Sequence, residues 1–319
     1  MTTTGPHNSS ESTAAPDGTV ALERGRLSGT VWAALAVVYV VWGSTYLAIR
    51  IVVESMPPLL SGAIRFLTAG LLLLGLTAWR QGTGALRVTW RQLASAALVG
   101  VLLLVGGNGL VVLAEGRIPS GMAALLIAVV PLWVVLLRMA SGERPRAGAL
   151  LGVLLGLVGL AVLSAPGITG KVSLVGVLML MGSSIAWSIG SFGSSRLPMP
   201  ANPLTASAYE MLVGGSGCLL VSLARGEEHG LDLAAISTRS WVALAYLVVF
   251  GSLLAFTAYA WLLQSAPLGL VATYAYVNPV VAVFLGWLVL AEQLTLPEVL
   301  GGAIVVVAVG VVVSTSRRS

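Results

Sequence analysis

Ten separate runs of roughly twenty apolar residues fill this chain, and about twenty is the length a helix needs to cross the hydrocarbon of a bilayer. They lie near 30–53, 59–79, 92–114, 119–138, 147–164, 172–195, 203–224, 240–264, 268–290 and 296–315, joined by short connections that hold most of the Arg, Glu, Gly and Pro. The pattern predicts an all-α membrane protein with ten transmembrane helices. Composition agrees, since 57% of the 319 residues are hydrophobic and 9% are charged, outside the balance of a soluble domain. Residues 1–28, rich in Ser, Thr, Gly and Pro without apolar periodicity, are predicted to be a disordered cytoplasmic tail. The apolar run after Arg24 and Arg26 is too long for a signal-peptide core and no small-residue cleavage pattern closes it, so it reads as a retained first span.

Orientation follows from the basic residues, because short loops rich in Arg and Lys stay cytoplasmic. With the N-terminus inside, eleven of the 17 fall on the cytoplasmic side, among them Arg80, Arg87, Arg91, Arg138, Arg144, Arg146 and Arg196. Five, Arg50, Arg117, Lys171, Arg225 and Arg239, fall outside, and Arg65 lies within a span. Both termini are therefore expected in the cytoplasm. The basic residues are scattered between apolar segments and form no patch for nucleic acid.

One cysteine, Cys218, and two histidines, His7 and His229, cannot build a disulfide framework or a Cys/His metal site, so no metal or other cofactor is expected. The stretch "APGITGKVS" ends in Gly-Lys but lacks the first glycine and the hydroxyl of a phosphate-binding loop. Neither a HExxH pair, a Gly-x-Ser-x-Gly elbow nor a Ser/His/Asp set occurs, which argues against an enzyme.

The chain also repeats itself. Pro119, Gly121, Ala124 and Pro131 recur in register as Pro267, Gly269, Ala272 and Pro279, and the nine-residue step from Glu143 to Gly152 recurs from Glu292 to Gly301. Trp42, Pro58, Ala63, Leu67 and Gly70 match Trp187, Pro203, Ala208, Leu212 and Gly215 at a constant shift of 145. Two duplicate halves follow, 30–164 and 172–315. Each holds five spans, an odd number, so the second copy enters the membrane from the opposite side. Such inverted repeats enclose a midplane site in many secondary transporters.

Several residues break the apolar pattern. A lone Arg in hydrocarbon costs about 2.5 to 3.5 kcal/mol or more, so Arg65 is expected to face protein or a water-filled space. At shift 145 stands Glu210, the one carboxylate deep in a span and the candidate for a coupling proton. The pair reads either as polar groups on a substrate route or as structural locks between helices. Pro131 and Pro279, expected mid-helix, would each free a carbonyl and bend the chain around a cavity. Asn278 and Tyr274 beside the second bend, and Asn108 in "VGGNGL", could touch a ligand or satisfy one another. Trp42 and Trp187 repeat on the first helix of each half, at an interface belt or at a site. Gly148, Gly152 and Gly156 form a small-residue ridge for contact within the fold or between protomers.

Together, "YVVWGSTYLAIRIVVESMPP", "GNGLVVLAEGRIPSGMAALL", "GSSIAWSIGSFGSSR" and "YAYVNPVVAVFLG" resemble the EamA family of the drug/metabolite transporter superfamily. The likeness runs from about 31 to 315 and is specific in order and spacing, not in substrate. It implies a bacterial inner-membrane exporter with a central cavity between the halves, acting on amino acids, related metabolites or toxic organic compounds. It places Trp42, Asn108, Trp187, Tyr259, Tyr274 and Asn278 at that cavity, and gives the fifth and tenth helices a scaffolding or homodimer role. The expected partners are a small-molecule substrate and the lipid bilayer. The rival readings are a channel and a non-transporting scaffold or sensor, though the loops are too short for a docking domain.

Overall fold

The computed structural model describes Met1 and residues 28–114, 117, 126–165, 173–229, 231–290 and 295–316. The predicted tail, the repeat residues Pro119, Gly121 and Ala124, and Glu292 lie outside them. The described residues form helices and no strand. We number the helical segments α1 (Gly29–Val53), α2 (Pro58–Gln81), α3 (Trp90–Ala114), α4 (Val130–Ala140), α5 (Ala147–Ser164), α6 (Leu174–Ser194), α7 (Pro203–Ala224), α8 (Thr238–Ser265), α9 (Leu268–Val271 and Tyr274–Leu290) and α10 (Leu296–Ser316). Seven, α1–α3, α6–α8 and α10, are long and apolar enough to cross a membrane. The other three run shorter as apolar helices, and α9 is broken by a turn at Ala272–Thr273.

Polar residues at the apolar boundaries start these helices. Ser28, Ser173, Asn202 and Ser237 each accept a hydrogen bond from a first-turn amide of α1, α6, α7 and α8, and Thr89 with Gln92 closes a reciprocal capping box on α3.

The strongest packing joins the two halves of the sequence: α2 on α7 and α5 on α10. The larger of the further cross-contacts have counterparts five helices away. Thus α1 packs on α8 and α9 while α6 packs on α3 and α4, and α2 meets α8 while α7 meets α3. The reciprocity reaches single residues. A Cβ on Gly70 would lie 2.9 Å from Leu212 Cγ, and one on Gly215 would lie 3.0 Å from Leu67 Cγ, the same pair moved by 145 positions. Small residues there let the α2 and α7 backbones approach closely, the means by which helices associate when lipid is as apolar as they are.

The small-residue ridge on α5 serves this internal purpose. A Cβ on Gly152 would lie 2.6 Å from Val312, and one on Gly148 would lie 2.9 Å from Thr315 on α10, while Gly301 of α10 presses on the Leu163 backbone of α5.

Polar contacts show that α2 and α7 run antiparallel. At one end, Glu227, just past α7, accepts from the Leu59 and Leu60 amides at 3.4 and 3.0 Å, which places a carboxylate on the N-terminus of α2 where the helix dipole favours it. Ser55 Oγ donates to Ser240 Oγ at 2.8 Å at the same end. At the other end, Asn202 Nδ2 donates to Gln81 at 2.6 Å, and Thr205 and Tyr209 donate to the Ala85 and Leu86 carbonyls at 2.9 Å. There Glu143 also accepts from Arg138 at 2.6 Å and from Arg196.

Candidate functional site

Two helices are widened at matching places. The backbone follows wide π-turns over Val101–Gly109 of α3 and Leu247–Phe256 of α8, interruptions that concentrate at functional sites. Small residues, Gly106 and Gly107 in one and Gly251 in the other, leave carbonyls open to neighbours. Gly251 O accepts from Trp42 Nε1 of α1 at 3.2 Å, and Gly107 O accepts from Ser183 Oγ of α6 at 2.7 Å. Each half thus lends a side chain from its first helix to the other half's widened helix.

Between these stretches lies a cavity of ≈ 70 Å³. That is room for a few waters, so a solute the size of an amino acid enters only if the walls move. Trp42, Thr45, Tyr46 and Ile49 of α1, Arg65 and Phe66 of α2, and Leu104, Gly107, Asn108 and Val111 of α3 line one side. Ser183, Ser184 and Trp187 of α6, Phe256 of α8, Tyr274 and Asn278 of α9, with Ile127 and Val130, complete it. A narrower recess shares Ile49, Arg65 and Asn108 and continues past Ser61, Gly62 and Val52, toward the end held by Glu227.

One wall is a cluster of four rings, Trp42, Trp187, Tyr259 and Tyr274, in which every pair has centroids 4.8 to 6.5 Å apart. Edge-to-face packing of this kind is worth about 0.5–1.5 kcal/mol per pair beyond burial. Tyr259 stands behind the cavity surface. Its hydroxyl accepts from Trp187 Nε1 at 2.9 Å and meets Ser191 Oγ at 2.6 Å, which holds the Trp187 ring in place.

Arg65 and Glu210 occupy different surroundings and form no ion pair. Arg65 is buried on α2 at the cavity surface, with Nε donating to Ser252 Oγ at 2.8 Å and its guanidinium carbon 4.8 Å from the Phe66 ring centroid. A Cβ on Gly251 would lie 2.8 Å from Arg65 Nη2, so the missing side chain makes the guanidinium's berth. Glu210, also buried, does not line the cavity. Gly100 of α3 packs directly on its backbone, and neither carboxylate oxygen has a hydrogen-bond partner among the described residues.

One proline departs from the mid-helix expectation and the other meets it. Pro131 sits in the first turn of α4, just after a turn at Ala128–Val129, where a missing amide costs nothing. Pro279 does lie inside a helix, but the break in α9 comes earlier, at Ala272–Thr273. Asn278 faces the nearby backbone: with its amide turned so that the nitrogen meets acceptors, Nδ2 donates to the Tyr39 and Tyr274 carbonyls at 3.3 and 3.1 Å. Asn108 makes no hydrogen bond to a described residue and faces both spaces.

Gly251, Ser252, Ser183 and Glu227 escape the sequence reading. For the Gly-Ser pair the signal is present, a polar interruption of the apolar run "LVVFGSLLAF", and such interruptions in spans mark function or close packing. Among the described residues no group of three or more His, Cys, Asp or Glu could hold a metal ion.

The model of the EamA-like transporter family matches residues 27–165 and again 174–314. The chain belongs to the EamA-like transporter family. Its EamA relatives include the uncharacterised inner membrane transporter YedA of Escherichia coli, 40% identical over 281 residues that cover 88% of this chain and 89% of that protein. The uncharacterised transporter YvbV of Bacillus subtilis is 27% identical, covering 89% and 91%, and an uncharacterised transporter of Archaeoglobus fulgidus is 25% identical, covering 88% and 98%. A solved crystal structure superposes with a TM-score of 0.74 at 22% identity over 92% of this chain and 99% of that one, which speaks to the fold alone. As an EamA family member with seven apolar helices of spanning length, this is a multi-pass membrane transporter.

Proposed function

We propose that the protein is a secondary active exporter of small organic metabolites, amino acids or toxic organic compounds, working by alternating access in the bacterial inner membrane. Ten spans form two inverted five-helix repeats, 30–164 and 172–315, with both termini cytoplasmic. The observation that carries this reading is a cavity between the widened stretches of α3 and α8 that both halves of the chain line, with Trp42 and Trp187 on its wall. The antiparallel pairing of α2 with α7, the reciprocal Gly70 and Gly215 contacts, and the inner-membrane designation of the YedA relative support it. Polar contacts between the halves at both ends are the natural candidates for gates that open in turn: Glu227 with α2 on the outside, Asn202 with Gln81 on the inside.

Glu210 is the site for a coupling proton. It is a carboxyl group without a partner in an apolar setting, where an unpaired charge is expensive. Purified protein in liposomes preloaded with unlabelled solute should accumulate the same labelled solute by counterflow, saturably, for at least one member of a panel of amino acids and cytotoxic organics. Ion-like currents in single-channel recordings, or silence across the panel with folded protein, would refute the carrier.

A further inference from the structure

We propose that the cavity selects organic monocarboxylates with an apolar body, the carboxylate being taken by the terminal nitrogens of Arg65. The inference rests on the transporter reading and deepens it. Among the described residues Arg65 is the sole ionisable acid or base with a full charge on the cavity wall, since they contribute no Asp, Glu or Lys to the lining. Its Nε is used by Ser252, but no described residue hydrogen-bonds either terminal nitrogen, and among the described residues no carboxylate lies within ion-pair range. The other buried charged residue, Glu210, is shut behind Gly100 and off the lining.

A guanidinium is a rigid planar fork that matches a carboxylate with two parallel hydrogen bonds. It is therefore held by one nitrogen and aimed with the others. Phosphate fits the fork too, but a phosphate monoester brings nearly two negative charges to a wall with one cation, and the second would be desolvated without compensation. One cation calls for one negative charge. Elsewhere on the lining, Ile49, Phe66, Leu104, Val111, Ile127 and Phe256 offer apolar contact to whatever the carboxylate is attached to, and the donors of Trp42, Thr45, Ser183, Ser184 and Trp187 are already spent on protein acceptors. Asn108 lines the same two spaces with its amide unengaged and can supply a neutral hydrogen bond to the solute.

The test is calorimetric titration of full-length protein in nanodiscs with matched sets: hydrocinnamate, hydrocinnamyl alcohol, hydrocinnamylamine and phenethyl phosphate, then isocaproate and its alcohol. In wild-type protein a carboxylate should bind about 10- to 100-fold more tightly than its alcohol, as charge-assisted hydrogen bonds allow. The amine and phosphate should bind more weakly than the carboxylate. Arg65→Gln should close the gap between carboxylate and alcohol, and Arg65→Lys, a point charge without the fork, should keep part of it. Should Arg65→Gln fail to fold, the wild-type series alone decides. Equal binding of carboxylate and alcohol, preference for the phosphate or amine, absence of carboxylate binding in both sets, or a gap that persists in folded Arg65→Gln overturns the proposal. Carboxylate binding without any flux would instead sink the transporter reading and leave this assignment standing.

Discussion

Arg65 and Glu210 occupy the same register of two duplicated helices, yet one opens on the cavity and the other is sealed. The difference lies in the helix each one meets. Arg65 faces the widened stretch of α8, where Gly251 leaves space for the guanidinium and Ser252 accepts from it. At the offset of 148 that relates Pro131 to Pro279, those two positions in α3 are Leu103 and Leu104, both buried, and Gly100 brings the α3 backbone against Glu210 itself. The family model matches the chain once over each of these two helices, at 27–165 and 174–314. Three substituted side chains on the facing helix then decide which buried charge is presented to a solute and which is kept away from it.

The largest effect should come from the sealing contact. A Cβ on Gly100 would press on the backbone carbonyl of Glu210 and lie 2.9 Å from its Cα, and backbone atoms cannot swing aside. Gly100→Val should cost about 3 kcal/mol or more, the upper range of overpacking, read as a lowered melting temperature in detergent. Gly75→Ala, with open space around it, should leave melting nearly unchanged. The corresponding change on the other side, Gly251→Ala, meets the end of a long side chain, Arg65 Nη2, and at 3.3 Å the Thr45 methyl, with no backbone atom in the way. It should spare stability and instead weaken solute binding, because the guanidinium is pushed from its berth. Equal melting of Gly100→Val and wild type would show that Glu210 is not sealed by α3.

Next in size is a change of opposite sign at the two positions. Glu210→Met removes two buried oxygens that have no partner, and relieving an unsatisfied buried group is worth about 1–3 kcal/mol. The variant should melt at or above the wild-type temperature while flux loses its response to an imposed pH gradient. Arg65→Met brings no such gain, since it abolishes the bond to Ser252 and the contact with Phe66. A pH-driven flux that survives in Glu210→Met would remove Glu210 from coupling. Of the same order is Ser252→Ala, which leaves the guanidinium in place but untethered; a loss of about 1.5–3 kcal/mol is the range for a hydrogen bond to a charged group, read as weakened carboxylate binding.

Much of this contrast is visible in the sequence, and the part that is not has a physical cause. Arg65 and Glu210 stand out because charge within an apolar run is rare, and the shift of 145 aligns them. Trp42, Asn108, Trp187, Tyr274 and Asn278 stand out as polar or aromatic breaks in spans, and the cavity lies among them. Which side each charge faces depends on helices 110 to 187 positions away in the chain, and spacing within one helix carries no information about that. Glycine is the extreme case. Gly100 and Gly251 act through the side chain they lack, one by letting a backbone in and the other by letting a guanidinium in, and the letter is the same. The π-turns are equally silent, since the Gly-Asn and Gly-Ser breaks in "VLLLVGGNG" and "LVVFGSLLAF" mark a place in the span but not a wider helical turn. Pro131 misleads for a related reason, because a proline in a long apolar run marks a helix interior or a new helix start, and only the turn at Ala128–Val129 tells which.

The smallest difference is the sharpest probe of how far the halves remain equivalent. Trp42 and Trp187 share a register, but Trp42 donates to the Gly251 carbonyl whereas Trp187 donates to the Tyr259 hydroxyl, which Ser191 also holds. Removing the indole donor from Trp187 therefore leaves Tyr259 bonded, while removing it from Trp42 strips the side-chain donor from a widened turn that abuts Arg65. Trp42→Phe should cost about 0.5–1.5 kcal/mol more than the lost ring area alone, and it should lower carboxylate binding by loosening Gly251 and Ser252. Trp187→Phe should lose ring area and little else. If both variants melt alike and bind carboxylate alike, the aromatic wall is a symmetric packing layer, and the asymmetry of the site begins only at Arg65.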